Sequence, residues 1–438
     1  MFTTTARVVM TLLVMISTAL CAEDFTIALL VSAHAGDTSA MFALGQRYEF
    51  GSGATQDYDK ALLWYQAAAD AGDARAMNTL ALWQIDGINL TKDEPAGQAM
   101  LIKAAELNEP AAMMNLATRF ENGTEWLAKD PTKFAAYLAR AVARYRDLAA
   151  AGEPRAMFEL GALYAEGRGV PRDDATAAQW FEKAASNNDT AAMLCLANLC
   201  AEGRGIKRDN QKIFTLCSKA AELGNPLAML ALASIYDIGV VSPKDAGKAF
   251  AWRQRAADLK SPAAMFQIAQ QFETGNGVAK DEEQSMRWYR KAAAFGDSAA
   301  LVELGVRATR ENENLEAFSY FERAAKLGNA QAFYNLGWAY AHGRGAVKNE
   351  EKAAAEYGKA AEYGHAPAMN NLGLMSMGGL GIPRNEAKAV HWFQQAAALG
   401  NTDAMRNLAE AYRTGRGVAM DLSEADKWRR KADETASR

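Results

Sequence analysis

The sequence predicts an all-α protein, a right-handed α/α superhelical solenoid of about eleven helix-turn-helix repeats, on three observations. A leucine or isoleucine returns every 36 residues, it sits in an amphipathic helical stripe, and glycine and aspartate punctuate the chain at fixed offsets from it. Runs that alternate apolar and polar residues, the mark of half-buried strands, are absent. At 438 residues the chain is longer than one hydrophobic core supports, and stacking repeats is one way such a length folds.

The chain opens on a different texture. Within residues 1–22 Arg7 is the lone charge, and Val8 to Leu20 form an apolar run too short to span a bilayer but suited to the core of an export signal. Small Ala22 before Glu23 marks the expected cleavage point, with an uncleaved anchor as the alternative. Export to a periplasm or the medium is expected, or to a secretory lumen in a eukaryote, with no transmembrane span after cleavage. Residues 23–36 read as the second half of a unit, a lone helix capping the first repeat.

Leu44, Leu80 and Leu116 then keep the 36-residue spacing, as do Leu160, Leu196, Leu232, Ile268 and Leu304, and as do Leu336, Leu372 and Leu408. The spacing breaks twice, to 44 residues between Leu116 and Leu160 and to 32 between Leu304 and Leu336. The insertion falls between Glu121 and Tyr145, and the deletion removes the loop after Arg310. Residues 37–153 therefore hold repeats 1–3, residues 154–329 repeats 4–8, and residues 330–438 repeats 9–11 with a charged C-terminal cap.

The unit beginning at Pro154 shows the logic. Met157, Leu160, Gly161 and Tyr164 form one helical stripe, which Gly167 and Gly169 end by supplying positive φ. Asp173 caps the next helix, whose stripe is Ala177, Trp180, Phe181 and Ala184. The cap returns at Asp57, Asp93, Asp209, Asp245, Asp281, Asn349, Asn385 and Asp421, and the aromatic at Trp64, Trp252, Trp288, Trp392 and Trp428. Small residues after the leucine allow close helix approach, toward the short end of the ~8–10 Å interaxial range. No unit buries its stripe alone, so neighbours must stack.

These signs recur together and in order, and the pattern resembles the Sel-1-like repeat family, slightly longer relatives of the tetratricopeptide repeats. The resemblance covers roughly Asp37 to Lys431, with units 2, 3 and 8 departing most because they lack the Gly-x-Gly turn. It implies first helices lining a concave surface and a role in holding other proteins. Some cysteine-rich relatives are associated with penicillin binding. The chain has no Ser-x-x-Lys, Lys-Thr-Gly or Gly-x-Ser-x-Gly to support that, and its cysteines are not placed once per repeat.

Catalytic constellations are scarce. His34, His342, His365 and His391 show no i, i+4 metal-site spacing, and neither a metal nor a cofactor is expected. The Gly-Arg-Gly turns, as at Gly167 to Gly169, lack the Gly-Lys-Ser/Thr ending of a phosphate loop and follow helices. Lys92, Arg172, Arg208, Lys244, Lys280, Lys348 and Arg384 beside these turns read as a solvated loop edge. A net charge of -4 gives no reason to expect nucleic acid. Cys200 takes the slot of the first-helix Tyr and Cys217 that of the second-helix aromatic. They are either close enough to bond, which needs Cα atoms within roughly 7 Å, or two shrunken buried residues.

A concave partner site is expected in units 9 to 11, on Tyr334, Asn335, Trp338, Asn370, Asn371, Arg406 and Asn407. Asn335, Asn371 and Asn407 stand one repeat apart, and an amide that donates and accepts suits the backbone of an extended peptide. Trp338 is the expected hot spot, and a structural brace for the asparagines is the competing account. Two function classes follow. One is an exported, non-catalytic adaptor that holds a protein or peptide. The other is a cell-envelope enzyme or a peptidoglycan- or glycan-binding protein, which several aromatic platforms and paired carboxylates in the groove would favour.

Overall fold

The computed structural model describes residues 27–51, 54–241 and 243–436, all of whose regular structure is helical. The export segment and its cleavage point, residues 1–22, lie outside the described residues. The described residues form two compact units, divided between Leu216 and Cys217. In the first unit α1 (residues 27–34) precedes four helix pairs: α2 (Thr38–Phe50) with α3 (Tyr58–Asp70), α4 (Ala74–Asp86) with α5 (Glu94–Glu106), α6 (Pro110–Asn122) with α7 (Pro131–Ala150), and α8 (Pro154–Glu166) with α9 (Asp174–Ser186). After them come α10 (Thr190–Glu202) and α11 (Asn210–Glu222), the latter crossing the division.

The second unit continues with first helices α12 (Pro226–Ile238), α14 (Pro262–Thr274), α16 (Ser298–Arg310), α18 (Ala330–His342), α20 (Ala366–Gly378) and α22 (Thr402–Thr414). Their second helices are α13 (Ala246–Asp258), α15 (Glu282–Ala294), α17 (Asn314–Lys326), α19 (Glu350–Glu362), α21 (Glu386–Ala398) and α23 (Leu422–Ala436). Both irregular spacings have a local account. The usual second helix has 13 residues, whereas α7 has 20, which takes up most of the insertion. The deletion leaves only residues 311–313 between α16 and α17, where a regular unit has residues 87–93.

The recurring leucines are the axis of the core, Leu44, Leu80, Leu116 and Leu160 in one unit and Leu232, Ile268, Leu304 and Leu408 in the other, all buried. Burying each such side chain stabilises by about 1.5–3 kcal/mol. The small residue after the leucine is needed where the second-helix ring crosses it. A Cβ on Gly161 would stand 2.6 Å from the Phe181 ring. That ring is not the tryptophan. Trp64, Trp180, Trp252, Trp288, Trp392 and Trp428 are only half-buried, and the residue after the tryptophan turns inward, as Tyr65, Phe181, Tyr289 and Phe393 do. Several tryptophans instead lie beneath a cation three residues on, Lys183 over Trp180 at 4.0 Å and Arg255 over Trp252 at 4.3 Å.

Caps follow the predicted aspartates and asparagines: Asp57, Asp93, Asp173, Asp209, Asp245, Asp281, Asn349, Asn385 and Asp421 each accept a backbone N–H two or three residues on. Each is worth ~1 kcal/mol to its helix. The second glycine of the turn stacks repeats. A Cβ on Gly277 would meet the carbonyl oxygen of Ala246, in the preceding unit's second helix, at 2.7 Å. Unit 6 also departs from the Gly-x-Gly pattern, since Gly239 is followed by Val240 and Val241. In unit 2 the slot is held by Asn89 at φ 56°, a conformation asparagine tolerates.

The turn arginine adds a clasp. Arg204 donates from Nε and Nη2 to both carboxylate oxygens of Asp174, at 3.0 and 2.7 Å, in the preceding unit's second helix. Basic residues at the loop edge pair locally instead, Arg384 with Glu386 at 2.6 Å and Arg172 with Asp174 at 3.4 Å.

Candidate functional site

Beyond chain neighbours, the helix pairs in closest contact are α4 with α6 and α20 with α22, both between first helices. At these two places neighbouring repeats approach along their first helices, which there form the inner face. The predicted row lies on α18, α20 and α22.

The asparagines do not form a uniform ladder. Asn407 donates to the buried Asn370 at 2.8 Å, and Asn115 donates to Asn78 at 2.9 Å in the first unit with the same separation of 37 residues. Asn371 hydrogen-bonds the hydroxyl of Tyr357, whose pKa burial pushes up to about 12. Asn335 accepts from Gln331 at 3.1 Å, while its Nδ2 is buried without a partner. The reason is local: the residue two before the recurring leucine is Asn78 or Asn370 where the bridge forms, but Val302 in the unit preceding Asn335.

Trp338 is half-buried, packs on the core and stacks on His342 at 4.5 Å. Tyr334 lies between Tyr357, at 5.7 Å, and His365, at 4.7 Å. His365 accepts the Ala368 N–H at 3.2 Å as the cap of α20, and burial lowers its pKa, which suits a neutral cap. Arg406 is exposed and pairs with Asp403 at 3.2 Å. The four histidines do not gather, and no group of three or more His, Cys, Asp or Glu able to hold a metal occurs among the described residues. Cys195, Cys200 and Cys217 are free thiols. Cys200 and Cys217 are both buried, and the Cys200 thiol is directed at the Lys207 and Asp209 carbonyls, at 3.4 and 3.5 Å.

A second stretch of inner face, in the first unit, was not legible from the repeat pattern. A cleft of about 780 Å³ is walled by Phe42 and Phe50 of α2, Arg75 and Asn78 of α4, Glu109 at the head of α6, Arg144, Tyr145 and Leu148 of α7, and Arg155 and Glu159 of α8. Arg75 is held by Asp73 at 2.5 Å and lies over the Phe42 ring at 4.7 Å. Arg155 pairs with Glu159 at 2.6 Å, and exposed Arg144 stands at the rim. Burial raises the pKa of Glu109 against the pull of Arg75 and Arg144, and raises that of Glu159 against Arg155. Tyr145 between them is raised by burial first, then by the two carboxylates.

Two sequence signals bear on this cleft. The 44-residue spacing accompanies the long α7, which brings Arg144, Tyr145 and Leu148 to the cleft. Glutamate replaces the usual Asp or Asn cap at Glu109 and Glu153; Glu109 caps Ala111 at a long 3.3 Å, and Glu153 makes no side-chain cap bond.

Compared with known proteins, the chain matches the Sel1 repeat eleven times, at residues 38–73, 74–109, 110–143, 154–189, 190–225, 226–261, 262–297, 302–329, 330–365, 366–401 and 402–432. The Sel1-repeat-containing protein YjcO of Escherichia coli K12 is 32% identical over 157 residues, 36% of this chain. The match spans 65% of that curated relative's length. A crystal structure of a protective antigen present in uropathogenic Escherichia coli strains, displaying an SLR fold, is similar over 94% of each chain at 29% identity with a TM-score of 0.52. With every helix pair of the fold falling within one of the eleven matched segments or at its edge, the chain belongs to the Sel1 repeat family.

Proposed function

We propose that this Sel1 repeat solenoid is an exported, non-catalytic adaptor that holds a segment of a partner protein along its inner face. The observation that carries the reading is the first-unit cleft. It draws walls from four repeats, sets apolar Phe42, Phe50 and Leu148 beside groups of both charges, and is large enough for a few residues of extended chain. The row Tyr334, Asn335, Trp338, Asn370, Asn371, Arg406 and Asn407 belongs to the same proposal as a second stretch of inner face, Arg406 being its exposed member.

The test is a pull-down from the native cell envelope with the parent chain and with Arg144→Glu. A protein retained by the parent and lost by the variant, at unchanged helical content, is expected. Equal recovery by both would sink the reading. Export is checked separately by N-terminal sequencing of protein from native cells, which should begin near Glu23; an intact Met1 in a soluble cytoplasmic fraction would oppose it.

One observation favours a second reading, a solenoid that holds peptidoglycan or another glycan: Glu109 and Glu159 flank Tyr145 in a cleft that also carries Phe42 and Phe50. Co-sedimentation with purified sacculi, abolished by Glu109→Gln with Glu159→Gln, would support it over the adaptor.

A further inference from the structure

Three consecutive repeats of the second unit carry a basic face tipped with apolar side chains. α13, α15 and α17 are followed by Leu259, Phe295 and Leu327, exposed to 50%, 45% and 53%. Four residues before each stands an exposed cation, Arg255, Lys291 or Arg323, so cation and apolar tip share one helix face. The second and third of these repeats are joined on this face, where Arg323 of α17 donates to the Ala293 carbonyl of α15 at 3.4 Å.

The balance of charge is one-sided. Exposed Arg255, Lys260, Arg290, Lys291, Arg323 and Lys326 stand against Asp258, Glu316 and Glu322, while Asp297 is turned onto the Ala300 N–H at 2.7 Å as a cap. This on a chain of net charge -4 is a local concentration of positive charge. Half-buried Trp252 and Trp288 lie beneath Arg255 and Lys291, at 4.3 and 4.5 Å. The helix dipole accounts for cations in a last helical turn. An exposed apolar residue recurs at this position in other units, as Leu107, Leu223, Tyr363 and Leu399; what sets these three repeats apart is the excess of cations around it.

We propose that this face docks on an anionic lipid bilayer, with Leu259, Phe295 and Leu327 entering the boundary between headgroups and acyl chains and the cations meeting lipid phosphates. Basic groups beside apolar tips and interfacial aromatics are the combination a bilayer surface rewards. An acidic peptide fits less well. Its backbone N–H and C=O groups need partners, and the side-chain amide at hand, Gln254, donates to Asp258 at 3.2 Å. No helix among the described residues is long and apolar enough to cross a membrane, so the contact is peripheral.

The test is co-sedimentation of the full chain with vesicles of equimolar phosphatidylcholine and phosphatidylglycerol, and with phosphatidylcholine alone. The parent should bind the mixed vesicles preferentially and be released by salt. Arg255→Gln with Lys291→Gln and Arg323→Gln should weaken binding about a hundredfold at low salt. Leu259→Ser with Phe295→Ser and Leu327→Ser should weaken it also, both triple variants keeping parental circular dichroism. Any contribution from Val8 to Leu20 is common to all these chains. On the parent itself, vesicles should slow amide exchange in residues 258–261, 294–297 and 326–329. Absence of binding, equal binding by parent and variants, protection confined to other segments, or retention on immobilised polyglutamate but not on vesicles would each overturn the proposal.

Discussion

The Nδ2 of Asn407 donates to the Oδ1 of Asn370 across 2.8 Å, joining α22, one residue before Leu408, to α20, two residues before Leu372. Asn115 and Asn78 make the same bridge between α6 and α4. This is what a brace between repeats does, and it separates asparagines that look equivalent in sequence. Asn407→Ala leaves the buried Asn370 oxygen without its donor and should cost about 1–3 kcal/mol in urea denaturation. Asn335→Ala removes a buried N–H that has no partner and should leave stability unchanged or slightly higher. Equal losses from the two variants would contradict the assignment.

Gly161 is a packing requirement. Its Cβ position lies 2.6 Å from the Phe181 ring, so Gly161→Ala should destabilise by about 1–3 kcal/mol despite alanine's better helix propensity. Adding Phe181→Leu should recover part of that loss. A fully additive double variant would show that the two side chains do not compete for one space.

Asp174 makes stability depend on acid. Its hydrogen bond from Arg204, the largest influence, with Arg172 also contributing, holds its pKa below the ordinary 3.8. A carboxylate lowered on folding contributes its full stability above the unfolded value and loses it as pH falls through the folded one. Asp174→Asn should therefore lower the melting temperature at neutral pH, and the gap from the parent should close as pH drops below 3.8. A gap that is constant across that range would remove the ion pair from the account.

The cysteines should behave as inert core residues. Burial pushes the Cys217 thiol up to about 11 and raises Cys195 as well, so little thiolate exists near neutral pH. A maleimide reagent should leave Cys200 and Cys217 unlabelled in the native chain. After unfolding, the chain cleaved before Glu23 should present the three thiols Cys195, Cys200 and Cys217. A count of one on unfolded, unreduced protein would mean that two of them had bonded.

What the sequence determined by itself was everything that depends on neighbours along the chain. The 36-residue spacing, the caps from Asp57 to Asp421 and the turn glycines set where each helix begins and ends, because backbone φ and the free N–H groups of a first turn are local matters. The 44- and 32-residue spacings correspond to the long α7 and to the three residues 311–313. Tertiary structure decided what depends on distances between repeats. Of two adjacent aromatics it turned Phe181 inward and left Trp180 half in water, because the ring fits over Gly161 of the facing helix. It gave Asn407 a partner and Asn335's Nδ2 none, because the residue one repeat back is Asn370 in one case and Val302 in the other. It also gathered Arg75, Glu109, Arg144 and Glu159 around one cleft, since the long α7 shares that cleft with α4, α6 and α8. No propensity or period contains that meeting, because it is made by side chains from four helices that touch only once the repeats have stacked.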